Sequence, residues 1–136
     1  GCPRNCAEAT CKDIGVVCVD SGYQISIGGA AGMDVKETEL LVQVATEQDV
    51  IDVICAVTQL YREGAKYLDR IYKWMAKVGL DWISAQVVDD LENRQALVER
   101  FELSQSIFRK DPWAEQVTTK AQQYQPLADL SLEAAE

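Results

Sequence analysis

The order of apolar and polar residues near the start of the chain predicts extended structure. Ile14–Val19 is a short apolar run rich in β-branched residues, which are common in strands. Residues 23–27 alternate between apolar and polar side chains, as a half-buried strand does. Because Asp20-Ser21-Gly22 between them is a turn signal, the two segments predict a β-hairpin. Over residues 40–45 a third strand and a helical turn are equally allowed.

From residue 46 onward the apolar residues change to helical spacing. Thr46 is a good N-cap, and the acidic residues after it favour the first turn of a helix. The apolar stripe of this helix runs to Tyr61, and Gly64 is expected to end or kink it. Three further helices are predicted over residues 67–78, 80–88 and 91–108.

Several conspicuous side chains in the helical part receive a structural interpretation. Tyr67, Trp74 and Trp82 have the spacing of core residues, so we interpret them as packing groups rather than as electron carriers. Asp89 and Asp90 are interpreted as the solvated start of a helix and not as a metal site.

These elements predict an α+β fold. A small antiparallel β-hairpin or sheet in the N-terminal third packs on the helix that follows Thr46, and a helical cluster comes next. We expect Asp111-Pro112-Trp113 to end the last helix, because the residue before a proline avoids the α region. The predicted segments are residues 1–64 with the hairpin and first helix, 65–116 as a helical extension, and 117–136 as a weakly ordered tail or linker.

Composition excludes several functional classes. The chain has 136 residues and a net charge of −9, and its 13 basic residues are scattered, which argues against nucleic-acid binding. No apolar stretch is long enough to span a membrane, and no signal-peptide pattern opens the chain. The absence of histidine excludes Ser-His-Asp and Cys-His catalysis and histidine-ligated metal sites. Because residue 1 is Gly rather than Met, we expect an excised part of a longer protein.

The five cysteines are an odd number, which does not fit a disulfide scaffold. Cys18 and Cys55 lie in apolar patterns and are interpreted as small buried hydrophobic residues. We therefore expect a reducing cytosol, in which the two cysteines nearest the N-terminus are available for a metal.

Cys2 and Cys6 are separated by three residues in a loop that Pro3 stiffens. Arg4 adds a positive charge, which is expected to favour the thiolate form. Paired soft sulfur ligands select zinc or an iron–sulfur cluster, and a four-iron cluster takes four cysteines, so this pair is half of a site. Two alternatives stay open: no metal at all, or a self-contained site made with Cys11 and Cys18.

The sequence around this pair is more specific than its spacing. Residues 1–10, Gly-Cys-Pro-Arg-Asn-Cys-Ala-Glu-Ala-Thr, followed by residues 12–16, resemble the second half of the sirohaem and 4Fe-4S signature of the nitrite/sulfite reductase family. Within that family the chain is similar to the C-terminal part of the large subunit of bacterial NAD(P)H-dependent assimilatory nitrite reductases. The likeness continues through residues 20–23, 27–29 and 111–113, and covers roughly residues 1–115.

The resemblance implies a six-electron reduction of nitrite to ammonium at a sirohaem coupled to a 4Fe-4S cluster. In the family, an upstream C-x5-C pair and a pair matching Cys2 and Cys6 hold the cluster, and the last cysteine, here Cys6, bridges to the sirohaem iron. Residues 1–64 would then be the C-terminal part of the sirohaem domain. FAD and NAD(P)H would bind earlier parts of the polypeptide, a small subunit is a possible partner, and the location would be cytoplasmic. The isolated piece is expected to be inactive and to hold no cofactor.

Arg4 and Asn5 are expected to contact the carboxylates of sirohaem, with turn support as the alternative for Asn5. Gly28, Gly29 and Gly32 fit either a close backbone approach to the macrocycle or a mobile connection. Two other functions compete with the reductase fragment: a non-catalytic helical docking module whose cysteine pair binds zinc or nothing, and a stand-alone iron–sulfur carrier. The sequence leaves open NADH against NADPH, the oligomeric state and, except by resemblance, nitrite against sulfite.

Overall fold

A three-stranded antiparallel sheet forms the first part of the chain in the computed structural model, which describes residues 1–108 and 111–120. The strands are β1 (Ile14–Val19), β2 (Gly22–Ile27), β3 (Ala30–Ala31), β4 (Val35–Lys36) and β5 (Glu39–Val44). The sheet has the order β1-β2-β5, so β2 is central, and β3 and β4 form a separate short ribbon. The predicted hairpin is thus confirmed, and residues 39–44 are a strand rather than a helical turn.

The pairing of β5 with β2 contains a bulge that brings an apolar side chain into the core. Ile25 lies opposite Val42 and Ser26 lies opposite Leu40, which leaves Leu41 as the extra residue on β5. Leu41 is buried, whereas Leu40 is exposed. Ile25 and Ile27 on β2 are completely buried, as the period-two pattern of this segment predicts.

Within the described residues, five α-helices follow the sheet, and a π-helical turn over Ala85–Asp89 continues the third of them. The helix that begins after Thr46 starts where the sequence predicts, because the Thr46 hydroxyl accepts a hydrogen bond from the Asp49 amide at 3.1 Å. Asp90 caps the fourth helix by accepting from the Asn93 amide at 2.9 Å. The helices are α1 (Glu47–Gly64), α2 (Ile71–Val78), α3 (Leu80–Ser84), α4 (Leu91–Phe108) and α5 (Pro112–Thr119).

The sheet and the first four helices share one hydrophobic core. Its aromatic member is Trp74, which is 2% exposed and packs edge-on against Tyr61 and Trp82 at centroid distances of 5.7 and 6.4 Å. The predicted α+β class, with a small sheet followed by helices, is confirmed. The other buried members come from both layers: Ile25, Ile27, Leu41, Val53, Ala56, Val57, Ile71, Met75, Ile83, Val87, Leu97 and Val98.

The predicted helix over residues 67–78 begins four residues later than expected. Tyr67 is 94% exposed and lies in the turn before α2, so its interpretation as a packing group is wrong. Leu68 is exposed too and has a left-handed backbone, with φ at 69°. The chain turns here because the Tyr61 hydroxyl donates to the backbone carbonyl of Asp69. Trp74 is a core residue as predicted, and Trp82 is partly exposed while packing on it.

Gly1–Leu103 make up one compact unit, and a second unit begins at Ser104. Helix α5 starts at Pro112, with the Asp111 carboxylate accepting from the Trp113 amide at 2.9 Å, so the segment expected to end a helix also begins one.

The expected tail, residues 117–136, lies mostly outside the described residues. No helix in the described ranges is long and apolar enough to cross a membrane.

Candidate functional site

Two consecutive turns shape the loop that carries Cys2 and Cys6. The Asn5 amide donates to the Cys2 carbonyl at 2.9 Å, and the Glu8 amide donates to the Asn5 carbonyl at 2.9 Å. Asn5 and Glu8 both have left-handed backbones, with φ at 57° and 55°. The reversal at Asn5 folds the chain back, so that Cys6 returns to the side of the loop where Cys2 lies.

The two cysteines lie close enough for Cys6 to act on the Cys2 thiol. The backbone amide of Cys6 is the largest cause that lowers the pKa of Cys2, followed by the Cys6 thiol and the amide of Arg4. These donors stabilise a thiolate, which is the form that binds metals. Cys2 is half-buried and Cys6 is exposed. The arrangement offers two soft sulfur donors on one side of a short loop.

Arg4 acts on Cys2 through its backbone in this structure, and the effect predicted for its charge stays a prediction. Arg4 is exposed, and it lowers the pKa of Cys2 through its backbone amide, whereas its guanidinium is not among the causes of that shift. The predicted contact of Arg4 with a cofactor stays a prediction.

Asn5 holds the loop together through both atoms of its side-chain amide. Its Nδ2 donates to Thr10 Oγ1 at 2.7 Å, and its Oδ1 accepts from the Thr10 amide at 3.1 Å. Thr10 is in turn fixed to the segment between β4 and β5, because its carbonyl accepts from the Thr38 amide at 2.8 Å. This geometry supports the turn-forming alternative for Asn5, and its contact with sirohaem stays a prediction.

The cysteine loop lies directly on the sheet. A Cβ built on Gly15 of β1 would lie 2.0 Å from the carbonyl oxygen of Ala9, so only glycine permits this close approach. Ala9 begins a short 3-10 turn, Ala9–Cys11, and is itself buried. The loop is thus packed against β1 as well as hydrogen-bonded within itself.

An ion pair ties the residues after the loop to α2. The Arg70 guanidinium binds the Asp13 carboxylate with two bonds, Nη2–Oδ2 at 2.7 Å and Nε–Oδ1 at 3.2 Å. The Asp13 carbonyl accepts from the Gly28 amide at 2.9 Å. Sequence analysis missed Asp13 and Arg70, since no local pattern links residues that far apart along the chain.

The glycines near the end of β2 are used mainly in internal packing. Gly28 has φ at +86°, and a Cβ there would lie 2.4 Å from Cε of Met75. Gly29 is buried, and a Cβ on it would lie 2.5 Å from the Lys12 carbonyl oxygen. Gly32 is exposed, with no atom near the position of an added Cβ. Gly28 and Gly29 therefore allow close contacts within the chain itself.

The remaining cysteines do not join the pair. Cys11 donates its thiol to the Glu8 carbonyl at 3.3 Å. Cys18 is exposed, so its interpretation as a buried residue is wrong: it lies near the hairpin end of β1, beside an open depression. Cys55 is half-buried, and burial is the main cause that raises its pKa. Within residues 1–108 and 111–120, no group of three or more potential ligands could hold a metal ion.

The donor set therefore fits half of a thiolate site. Cys2 and Cys6 supply two neighbouring sulfur donors, and a tetrahedral zinc or a four-iron cluster needs more ligands than these. The residues present fit an iron–sulfur cluster only if other parts of a longer polypeptide complete the set.

Comparisons with known proteins show which family the chain resembles. The family model described as the nitrite and sulphite reductase 4Fe-4S domain matches residues 1–95. A nitrite reductase [NAD(P)H] of Bacillus subtilis is 42% identical over 112 residues, which are 82% of this chain and 14% of that protein. The nitrite reductase (NADH) large subunit of Escherichia coli is 27% identical over 127 residues, 90% of this chain and 15% of that protein.

A relative with lower identity is named a sulfite reductase rather than a nitrite reductase. The assimilatory-type sulfite reductase of Nitratidesulfovibrio vulgaris is 25% identical over 88 residues, which are 65% of this chain and 40% of that protein. The chain thus spans only a small part of the nitrite reductases that it matches. The predicted resemblance is confirmed, and the chain belongs to the nitrite and sulphite reductase 4Fe-4S domain family.

Proposed function

We propose that this chain is part of a nitrite reductase that converts nitrite to ammonium with six electrons, at a sirohaem coupled to a 4Fe-4S cluster. The convergence of Cys2 and Cys6 in a loop fixed to the sheet is the observation that supports it most strongly. The family match over residues 1–95 supplies the cluster type, and the identity with a Bacillus subtilis nitrite reductase [NAD(P)H] supplies the substrate.

Cys2 and Cys6 would have different tasks in holding the cofactors. Cys2 is half-buried, and the amides of Cys6 and Arg4 help to lower the pKa of its thiol, which suits a ligand of the cluster alone. Cys6 is exposed, so its sulfur can reach a second group on the outer side of the loop, as a bridge to sirohaem requires. When bound, the coupled cofactors store and deliver the electrons. Asn5 and Thr10 keep the two sulfurs in place by fixing the loop.

The rest of the site would come from outside residues 1–136. Two more cluster ligands are expected from a C-x5-C pair earlier in the longer polypeptide, together with the groups that bind FAD and NAD(P)H. A small nitrite reductase subunit is a further candidate partner, and a cytoplasmic location fits the use of NAD(P)H. The chain covers 14% of its Bacillus subtilis relative, which leaves ample sequence for these regions.

The ligand assignment is tested by alanine variants of the complete polypeptide. Cys2→Ala and Cys6→Ala should lose cluster iron, and Cys6→Ala should also lose nitrite reduction and the coupling between sirohaem and cluster. Cys11→Ala is the matched control, since this thiol lies in the same segment and bonds to the Glu8 carbonyl. Full iron content and activity in Cys6→Ala would contradict the assignment, and zinc in place of iron would favour a docking module.

A second experiment uses residues 1–136 alone. With two converging thiols, the chain should acquire no stable iron chromophore after reconstitution with iron and sulfide. A stable brown protein would favour the iron–sulfur carrier that uses its own four cysteines, because it would show that Cys11 and Cys18 can move to join the pair.

A further inference from the structure

Gly1 forms a two-bond bridge to the outer edge of β1. Its amino group donates to the Val16 carbonyl at 2.6 Å, and its carbonyl accepts from the Cys18 amide at 2.9 Å. Gly1 thus bonds to Val16 and Cys18, the two residues that flank Val17. Bonds from one residue to both neighbours of the residue opposite it are the pattern of parallel strands. β1 is therefore paired on both sides at this point, antiparallel to β2 and parallel to the chain at Gly1.

The outer edge of β1 continues beyond this bridge. Alternate residues of a strand turn their backbone groups to opposite sides, so Ile14, Val16 and Cys18 face the edge while Val17 faces Gln24 on β2. The Val16 amide and the Ile14 carbonyl are the next rungs of a parallel ladder. Neither group has a backbone partner outside the sheet among residues 1–108 and 111–120. The edge thus offers a donor and an acceptor in register with Gly1.

The sequence of β1 also differs from that of a permanent edge strand. Exposed edges usually carry lysine, proline or other charged residues that prevent pairing with another chain. Ile14–Val19 reads Ile-Gly-Val-Val-Cys-Val and has none of these. The side chains of Ile14 and Val16 are only half-buried. The composition of β1 is therefore typical of a strand that has neighbours on both sides.

We propose that the residues immediately before Gly1 in the longer polypeptide form a fourth strand, parallel to β1, that leads directly into the cysteine loop. This inference rests on the proposed function in taking the chain as part of a longer reductase. The residue two positions before Gly1 donates to the Ile14 carbonyl and accepts from the Val16 amide. The parallel direction favours this segment over a second copy of β1, which would pair antiparallel across a two-fold axis. Cys2 then follows a strand that is fixed in the sheet.

Amide hydrogen exchange tests the strand, by comparing residues 1–136 with the complete polypeptide at residue resolution. The Val16 amide should exchange at least about tenfold more slowly in the complete polypeptide, because it gains a ladder bond there. The Val17 amide is the control, since its partner, Gln24, lies in β2 and is present in both samples. Equal exchange at Val16 would overturn the proposal. If the exchange of the Val16 amide in residues 1–136 slows as the protein concentration rises, a second copy pairs with this edge and the proposal is overturned.

The iron content of the same complete polypeptide separates this inference from the proposed function. A sample that holds the cluster while Val16 exchanges as fast as in residues 1–136 defeats the strand and leaves the reductase assignment standing. A sample in which Val16 is protected and no iron is bound supports the strand and counts against the ligand role of Cys2 and Cys6.

Discussion

Replacing Asn5 by alanine should loosen the cysteine loop by a calculable amount. The change removes the bond from Nδ2 to Thr10 Oγ1 and the bond from the Thr10 amide to Oδ1, at 2.7 and 3.1 Å. It also places an alanine at φ 57°, a left-handed backbone that asparagine tolerates better. Asn5→Gly is the matched control, because it loses the same two bonds without the backbone penalty.

The magnitude follows from these two contributions. Two hydrogen bonds of a partly buried side chain stabilise the loop by about 0.5–1.5 kcal/mol each. A left-handed residue other than Gly or Asn costs about 1–2 kcal/mol. Asn5→Ala should therefore destabilise the closed loop by about 2–5 kcal/mol and Asn5→Gly by about 1–3 kcal/mol. The difference between the variants isolates the backbone contribution.

Amide exchange of Glu8 and Cys11 measures the opening of the loop, because both amides bond within it at 2.9 and 3.1 Å. Each 1.4 kcal/mol corresponds to about a tenfold faster exchange. The Gln24 amide in β2 should be unaffected, since it belongs to the sheet. Unchanged exchange of Glu8 and Cys11 in both Asn5 variants would refute the idea that Asn5 holds the loop. Equal effects of alanine and glycine would refute the backbone part of the reasoning.

Two further predictions concern charge and thiol chemistry. The Arg100 guanidinium, with help from Gln59, lowers the pKa of Glu63. This ion pair therefore stabilises the fold above the usual glutamate pKa of 4.5. The stabilisation is lost as the pH falls through the lower pKa that Glu63 has in the folded protein. Glu63→Gln should flatten the acid limb of a plot of stability against pH in thermal denaturation, and an unchanged limb would contradict this. In iodoacetamide labelling at mildly alkaline pH, Cys18 should react faster than Cys55, because Cys18 is exposed whereas burial raises the pKa of Cys55; mass spectrometry showing the reverse order would contradict it.

Local signals were sufficient to predict much of the fold. The turn at residues 20–22, the alternation after it and the Thr46 cap each act through neighbouring residues, and all three appear in the structure. The same kind of signal misled at Tyr67 and Leu68, whose spacing continues a helical stripe. There the left-handed backbone of Leu68 and the bond from the Tyr61 hydroxyl to Asp69 turn the chain instead.

Of the candidate site, only the two proposed ligands could be picked out from the sequence. Cys2 and Cys6 are recognisable from the sequence, because their thiols and spacing are local. The contacts of Asn5 with Thr10 and of Asp13 with Arg70 depend on how the loop packs on the sheet, which no pattern of residue types specifies. Cys18 was wrongly predicted to be buried, because the apolar run around it does not specify which of its side chains face solvent.

The most direct test of the account is the position of iron in a crystal structure of the complete, cofactor-loaded polypeptide. An anomalous difference map collected at the iron edge should show cluster iron bonded to Sγ of both Cys2 and Cys6. The Cys6 sulfur should lie between the cluster and the sirohaem iron. A cluster held entirely by other cysteines, with the Cys2 and Cys6 thiols free, would contradict the central claim.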